Sequence, residues 1–194
     1  MSNTPRTPAR EKILAAATTL FFERGYQGTT VDDVIQRSGV SRPTLYSHFA
    51  TKEDLGVAYL QLQRQQDLVS IKEAIRKEKT PESRYYGIIQ LIADHLVKND
   101  FRGCRYFNVI AELREASNPL VKEARHYIEN LREFIREVVI DLKDSHKKYT
   151  NMDTDRVTDL YYLLVAGAIM GSQEYHERWP IDRAIEEVKR LIKE

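Results

Sequence analysis

Apolar residues along the chain recur at steps of three and four, the period of a helix, rather than at the alternation of a strand. In Leu131, Phe134, Ile135, Val138, Val139 and Leu142 that spacing lines up one helical face, so even a stretch rich in β-branched residues reads as helix. Asn-Gly and Asp-Gly, the strongest short hairpin signals, do not occur. Pro8, Pro43, Pro81, Pro119 and Pro180 all stand where a helix can begin, and Thr80 and Asn118 precede two of them as N-caps. The pattern predicts an all-α chain.

The stripe Ile13, Leu14, Ala17, Leu20 and Phe21 predicts a first helix from about Ala9 to Arg24, stopped by Gly25. A short second helix, Val31 to Arg37, is capped by Thr30 and carries Asp32 and Asp33 near its positive end. After Ser38-Gly39-Val40 a third runs from Ser41 to near His48. The fourth begins after Thr51, where Thr51 and Asp54 form a capping pair, and continues to about Lys77. Five more, at roughly Pro81 to Lys98, Gly103 to Ala116, Pro119 to Asp144, Asp153 to His176 and Ile181 to Lys193, bring the total to about nine. No repeat or flexible linker divides front from back, so residues 1–51 and residues 52–194 are expected to share the fourth helix as a rigid joint.

Composition narrows the function class. At 194 residues, with 42% hydrophobic and 30% charged residues, the chain can build a packed core. Its net charge of only +1 means that any case for nucleic-acid binding must be local. A single cysteine, Cys104, excludes an internal disulfide framework. The start Met-Ser-Asn-Thr-Pro-Arg has no apolar signal core, and the longest apolar run, Leu160 to Gly171, is too short to span a bilayer, so a cytoplasmic protein is expected. His48, His95, His126, His146 and His176 are scattered, there is no glycine-rich phosphate loop, and Gly39-Val40-Ser41-Arg42-Pro43 lacks the second glycine of a nucleophile elbow. No catalytic residue, metal site or cofactor is expected. The rival classes are an all-helical enzyme and a protein-interaction adaptor.

Residues Thr30 to Phe49 have the anatomy of a helix-turn-helix, with Gly39 suited to a positive φ in the turn. Val34, Ile35, Val40, Leu45 and Phe49 can bury one side, which leaves Arg42, Pro43, Thr44, Tyr46, Ser47 and His48 on or near the other. Such a set suits a DNA major groove: Arg42 for guanine O6 and N7, Thr44 for a thymine methyl, Tyr46 and His48 for phosphates, and Lys52 with the free amides of the next helix as a phosphate clamp. The same shape also occurs as a plain packing unit.

From Lys12 to Leu60, the runs Ile-Leu-Ala-Ala-Ala, Leu-Phe-Phe-Glu-Arg-Gly-Tyr, Thr-Thr-Val-Asp-Asp-Val, Ser-Gly-Val-Ser-Arg-Pro-Thr-Leu-Tyr-Ser-His-Phe and Thr-Lys-Glu-Asp-Leu closely resemble the DNA-binding region of TetR-family transcriptional regulators. The resemblance implies a three-helix DNA-binding module in residues 1–51, following an N-terminal arm, and a helical ligand-binding and dimerisation domain in residues 52–194. Thr30, Ser41, Arg42, Pro43, Thr44, Tyr46, Ser47, His48 and Lys52 are then the expected DNA contacts, with Tyr46, His48 and Lys52 on backbone phosphates. The expected function is a repressor that leaves a palindromic double-stranded operator when a small-molecule effector binds.

Two further sets follow from periodicity. The eighth helix is apolar nearly all round, so Leu163, Gly167, Met170 and Gly171, with Ile185 and Val188 of the last helix, are expected to form a four-helix homodimer interface. The alternative is that both helices pack only on their own chain. Aromatic-rich segments in the middle suggest an effector cavity lined by Tyr85, Ile89, Phe107 and Tyr161, with Cys104, Asn108 and Glu112 sharing one face at spacings of four. Phe107 and Ala111 facing the core with Glu112 solvated is the competing arrangement. Cys104, between Arg102 and Arg105, is either a reactive thiolate or a buried inert thiol.

Overall fold

The computed structural model describes residues 8–193, so the N-terminal arm expected ahead of the first helix lies outside the described residues. Nine α-helices and one 3-10 turn make up the described secondary structure: α1 (Pro8–Arg24), α2 (Val31–Ser38), α3 (Arg42–His48), α4 (Lys52–Arg76), α5 (Pro81–Lys98), α6 (Arg105–Leu113), α7 (Pro119–Ser145), the turn Lys147–Tyr149, α8 (Thr154–Tyr175) and α9 (Trp179–Arg190). Among these residues the fold is all-α.

Local chemistry sets most of the ends. At α2 the Thr30 hydroxyl accepts from the Asp33 amide at 3.1 Å while the Thr30 amide donates to the Asp33 carboxylate at 2.8 Å, a reciprocal capping box. Thr51 with Asp54 and Thr80 with Ser83 repeat that arrangement at α4 and α5. Gly39 closes α2 at φ +68°, its amide donating to the Ile35 carbonyl.

Two helices differ from expectation at both ends. Helix α6 begins at Arg105 and stops at Leu113 because Gly103 and Arg114 sit in left-handed conformations at φ +75° and +56°. Helix α9 begins at Trp179, which puts Pro180 in its first turn, and ends at Arg190.

The described chain divides into two compact units. One comprises the chain up to Gln65 together with Arg105–His126; the other comprises Gln66–Cys104 and the chain from Tyr127 onward. The division expected at 51/52 instead falls inside α4, and the reason lies in what the first half of α4 touches. Leu55, Tyr59 and Leu60 are buried there, Arg105 of α6 donates to Gln63 at 2.5 Å, and Arg64 pairs with the buried Glu123 of α7 at 2.6 Å. The second unit has its own core, in which α8 packs on α9 and both pack on α5.

Candidate nucleic-acid interface

Helix α3 is a short amphipathic stub held by its apolar side. Leu45 and Phe49, four residues apart, are buried, and α3 packs on α1 through this side. Ser41 caps it: the Ser41 hydroxyl accepts from the Thr44 amide at 3.2 Å and lies 2.7 Å from the Thr44 hydroxyl. With the keel fixed, the helical period turns Arg42, Pro43, Tyr46 and Ser47 outward, while Thr44 and His48 are half-buried at the margin. Tyr46 keeps 42% of its surface exposed.

Thr30 is spent on the α2 cap, with its hydroxyl donating to Asp33 at 2.6 Å. These bonds hold the exposed Asp33 carboxyl below its usual range. Arg42 at the start of α3 forms an ion pair with Asp32 of α2. Lys52 is half-buried with its ammonium 4.3 Å from the centroid of the Tyr26 ring. Burial lowers its pKa, opposed by the carboxylates of Glu112 and Asp33.

The expected contacts therefore come together in one unit, and the structure adds partners that spacing alone did not reveal. Asp32 was read only as a dipole partner of α2, and nothing in a helical pattern links it to a residue ten positions on. The guanidinium of Arg10 lies 5.3 Å from the Phe49 ring centroid, bracing the end of α3.

The expected effector residues are divided between the units, with Tyr85, Ile89, Cys104 and Tyr161 in the second and Phe107, Asn108 and Glu112 in the first. Tyr85, Ile89 and Tyr161 are fully enclosed. The Tyr161 hydroxyl donates to the Tyr85 carbonyl at 2.7 Å and accepts from the Ile89 amide at 3.1 Å, while the Tyr85 hydroxyl donates to the Val188 carbonyl at 3.0 Å. Burial raises both phenol pKa values, so these rings are neutral core members with satisfied hydroxyls. Cys104 is half-buried and precedes α6, so it does not share that helix's face with Asn108 and Glu112. The Glu112 carboxylate is committed elsewhere, accepting from the amides of Tyr26 and Gln27.

On α8, Leu163 and Met170 are 60% and 62% exposed, and nothing lies within 4 Å of a Cβ built on Gly167. Gly171 is different: it faces Pro180 of α9, whose Cβ would be 3.1 Å from an added methyl. Val188 has no exposed surface and Ile185 only 7%, because both are covered by their own chain; Val188 therefore has no area to offer a partner.

Residues 13–59, spanning α1 through the first turns of α4, match the sequence model of bacterial regulatory proteins, tetR family. Over that stretch the chain is similar to the TetR family. Among curated relatives, the transcriptional repressor DhaR of a Mycobacterium species is 25% identical over 92% of the chain and 89% of its own length. The transcriptional activator FasR of Mycolicibacterium smegmatis is 32% identical over 52% of the chain, which spans only 46% of that protein. The fold of a TetR-family regulator from Streptomyces coelicolor superposes with a TM-score of 0.85 at 21% identity, covering 95% of this chain and 94% of that one.

Proposed function

We propose that this chain is a sequence-specific DNA-binding transcriptional regulator of the TetR family, working as a homodimer on a palindromic double-stranded operator and acting as a repressor that a small-molecule effector releases. The observation that carries the reading is the polar outer side of α3, with Arg42, Pro43, Tyr46 and Ser47 exposed over the buried keel of Leu45 and Phe49. Its place within the family-matched residues 13–59 supports a major-groove role for that side. Repression is favoured over activation because the relative matched along most of the chain is named a repressor. Cytoplasmic placement accords with this role, and among the described residues no helix is long and apolar enough to cross a membrane.

Effector recognition belongs to the second unit in this reading. A groove of about 550 Å³ on α4 and α7 is lined by Leu68 and Val69 and by charged side chains that include Lys72, Arg76, Glu133 and Glu137. That volume falls within the range of small-molecule sites. An effector would act by population shift, preferring an arrangement in which two copies of α3 no longer sit roughly 34 to 36 Å apart.

Sequencing of duplex fragments selected by the purified protein tests the reading. A palindrome is expected, and Tyr46→Ala should weaken binding about tenfold on every duplex, through loss of a phosphate contact, with the melting temperature unchanged. Failure to enrich any sequence would overturn it.

A further inference from the structure

The three-helix module meets a carboxylate from far along the chain. Gly25 ends α1 at φ +78°, a left-handed turn after which successive amides form a cradle for an anion. Glu112 of α6 fills that cradle: the amides of Tyr26 and Gln27 donate to its two carboxylate oxygens at 3.3 and 2.9 Å. The Gln27 side-chain amide also donates to the Glu112 carbonyl at 3.0 Å. The fit is close enough that a Cβ on residue 25 would lie 2.7 Å from Glu112 Oε1.

The same turn supports a cation. Tyr26 lends its amide to Glu112 and its ring to Lys52, and the charges acting on Lys52 are those of Glu112 and Asp33. Lys52 opens α4 immediately after the α3 module, so seating the turn also seats the ammonium.

We propose that Glu112 is a positioning residue for the DNA phosphate contact: by holding the Tyr26–Gln27 turn it keeps Lys52 where a backbone phosphate can reach it. An acidic side chain outside the helix-turn-helix thereby strengthens binding to a polyanion. The inference rests on the DNA-binding reading above. Simple electrostatics gives the opposite sign, because removing a negative charge beside DNA should tighten binding, so the direction of the effect decides.

The experiment uses the full chain and the duplex selected by the wild-type protein, titrated by fluorescence anisotropy across a salt series. Glu112→Gln is expected to bind about tenfold more weakly, the loss of roughly one charge-assisted hydrogen bond. Its salt slope should be shallower by about one unit per lost phosphate contact, and the substitution should add nothing in a Lys52→Ala background. Glu112→Asp, which keeps the charge on a shorter arm, and Gly25→Ala, which displaces the carboxylate, should weaken binding in the same way and serve if Glu112→Gln does not fold. Unchanged or tighter binding by the folded Glu112 variants overturns the inference, as does a Glu112→Gln effect that persists in full without Lys52. If wild type binds no duplex, the DNA-binding reading itself falls; if wild type binds and the variants match it, only the role of Glu112 falls.

Discussion

Asp32 and Arg42 meet across the turn between α2 and α3, both largely exposed. An exposed ion pair of this kind contributes little to stability, because water screens it and two side chains lose freedom to form it. Its consequence lies in where it leaves the guanidinium. Arg42 is at the first position of α3, and a partner on α2 restricts which base edge it can reach. Asp32→Ala should therefore leave the unfolding free energy, measured by chemical denaturation, within about 0.5 kcal/mol of wild type. In a selection of duplex fragments it should broaden the preference at one position in each half-site. An unchanged preference would show that Arg42 leaves Asp32 before it reads DNA. The sequence made Arg42 legible as a groove residue because periodicity alone turns it outward once Leu45 and Phe49 face in. It did not make Asp32 or Glu112 legible as partners, since their contacts lie 10 and 85 or more residues away in the chain.

At the scale of elements, what could be read was what is local. Thr30, Thr51 and Thr80 mark the starts of α2, α4 and α5 because a cap needs only its own neighbours three residues on. The C-terminal limit of α6 was not readable, because Arg114 ends it in a left-handed conformation that carries no glycine signal; at the other end the helix starts two residues after Gly103, so Cys104 precedes it. The aromatic pair of α5 and α8 was visible as residues, but not the hydrogen bonds that its hydroxyls make within the second unit. Tyr85 and Tyr161 stand edge to face with centroids 5.0 Å apart, and the Tyr161 hydroxyl bridges the carbonyl and amide of one turn of α5. Tyr161→Phe leaves a buried carbonyl and amide without that bridge, which should cost about 1 to 3 kcal/mol in chemical denaturation. DNA affinity of the folded fraction should be unchanged. A cost near zero would mean that α5 closes its own ladder once the hydroxyl is gone.

For the whole molecule, the question is which surface pairs two copies, because one short helix in one groove buries too little for a specific site. Helix α8 turns Val165, Ala168 and Ile169 into its own unit and Leu163, Gly167 and Met170 outward, so it is apolar on both sides for two different reasons. The inward side is consumed in the monomer, and with it Val188. The outward side exposes two large apolar side chains around a glycine that admits close approach, which is costly in water and stabilising against a matching copy. Leu163→Glu with Met170→Glu places carboxylates on that side without touching the core. Sedimentation should show wild type at twice the chain mass and the double variant as a folded monomer. On the palindromic operator the variant should lose at least about a hundredfold in affinity, because the second half-site is no longer tethered to the first. On a single half-site the two proteins should bind alike. A double variant that stays dimeric would move the interface off α8 and require another surface to set the spacing of the two α3 helices.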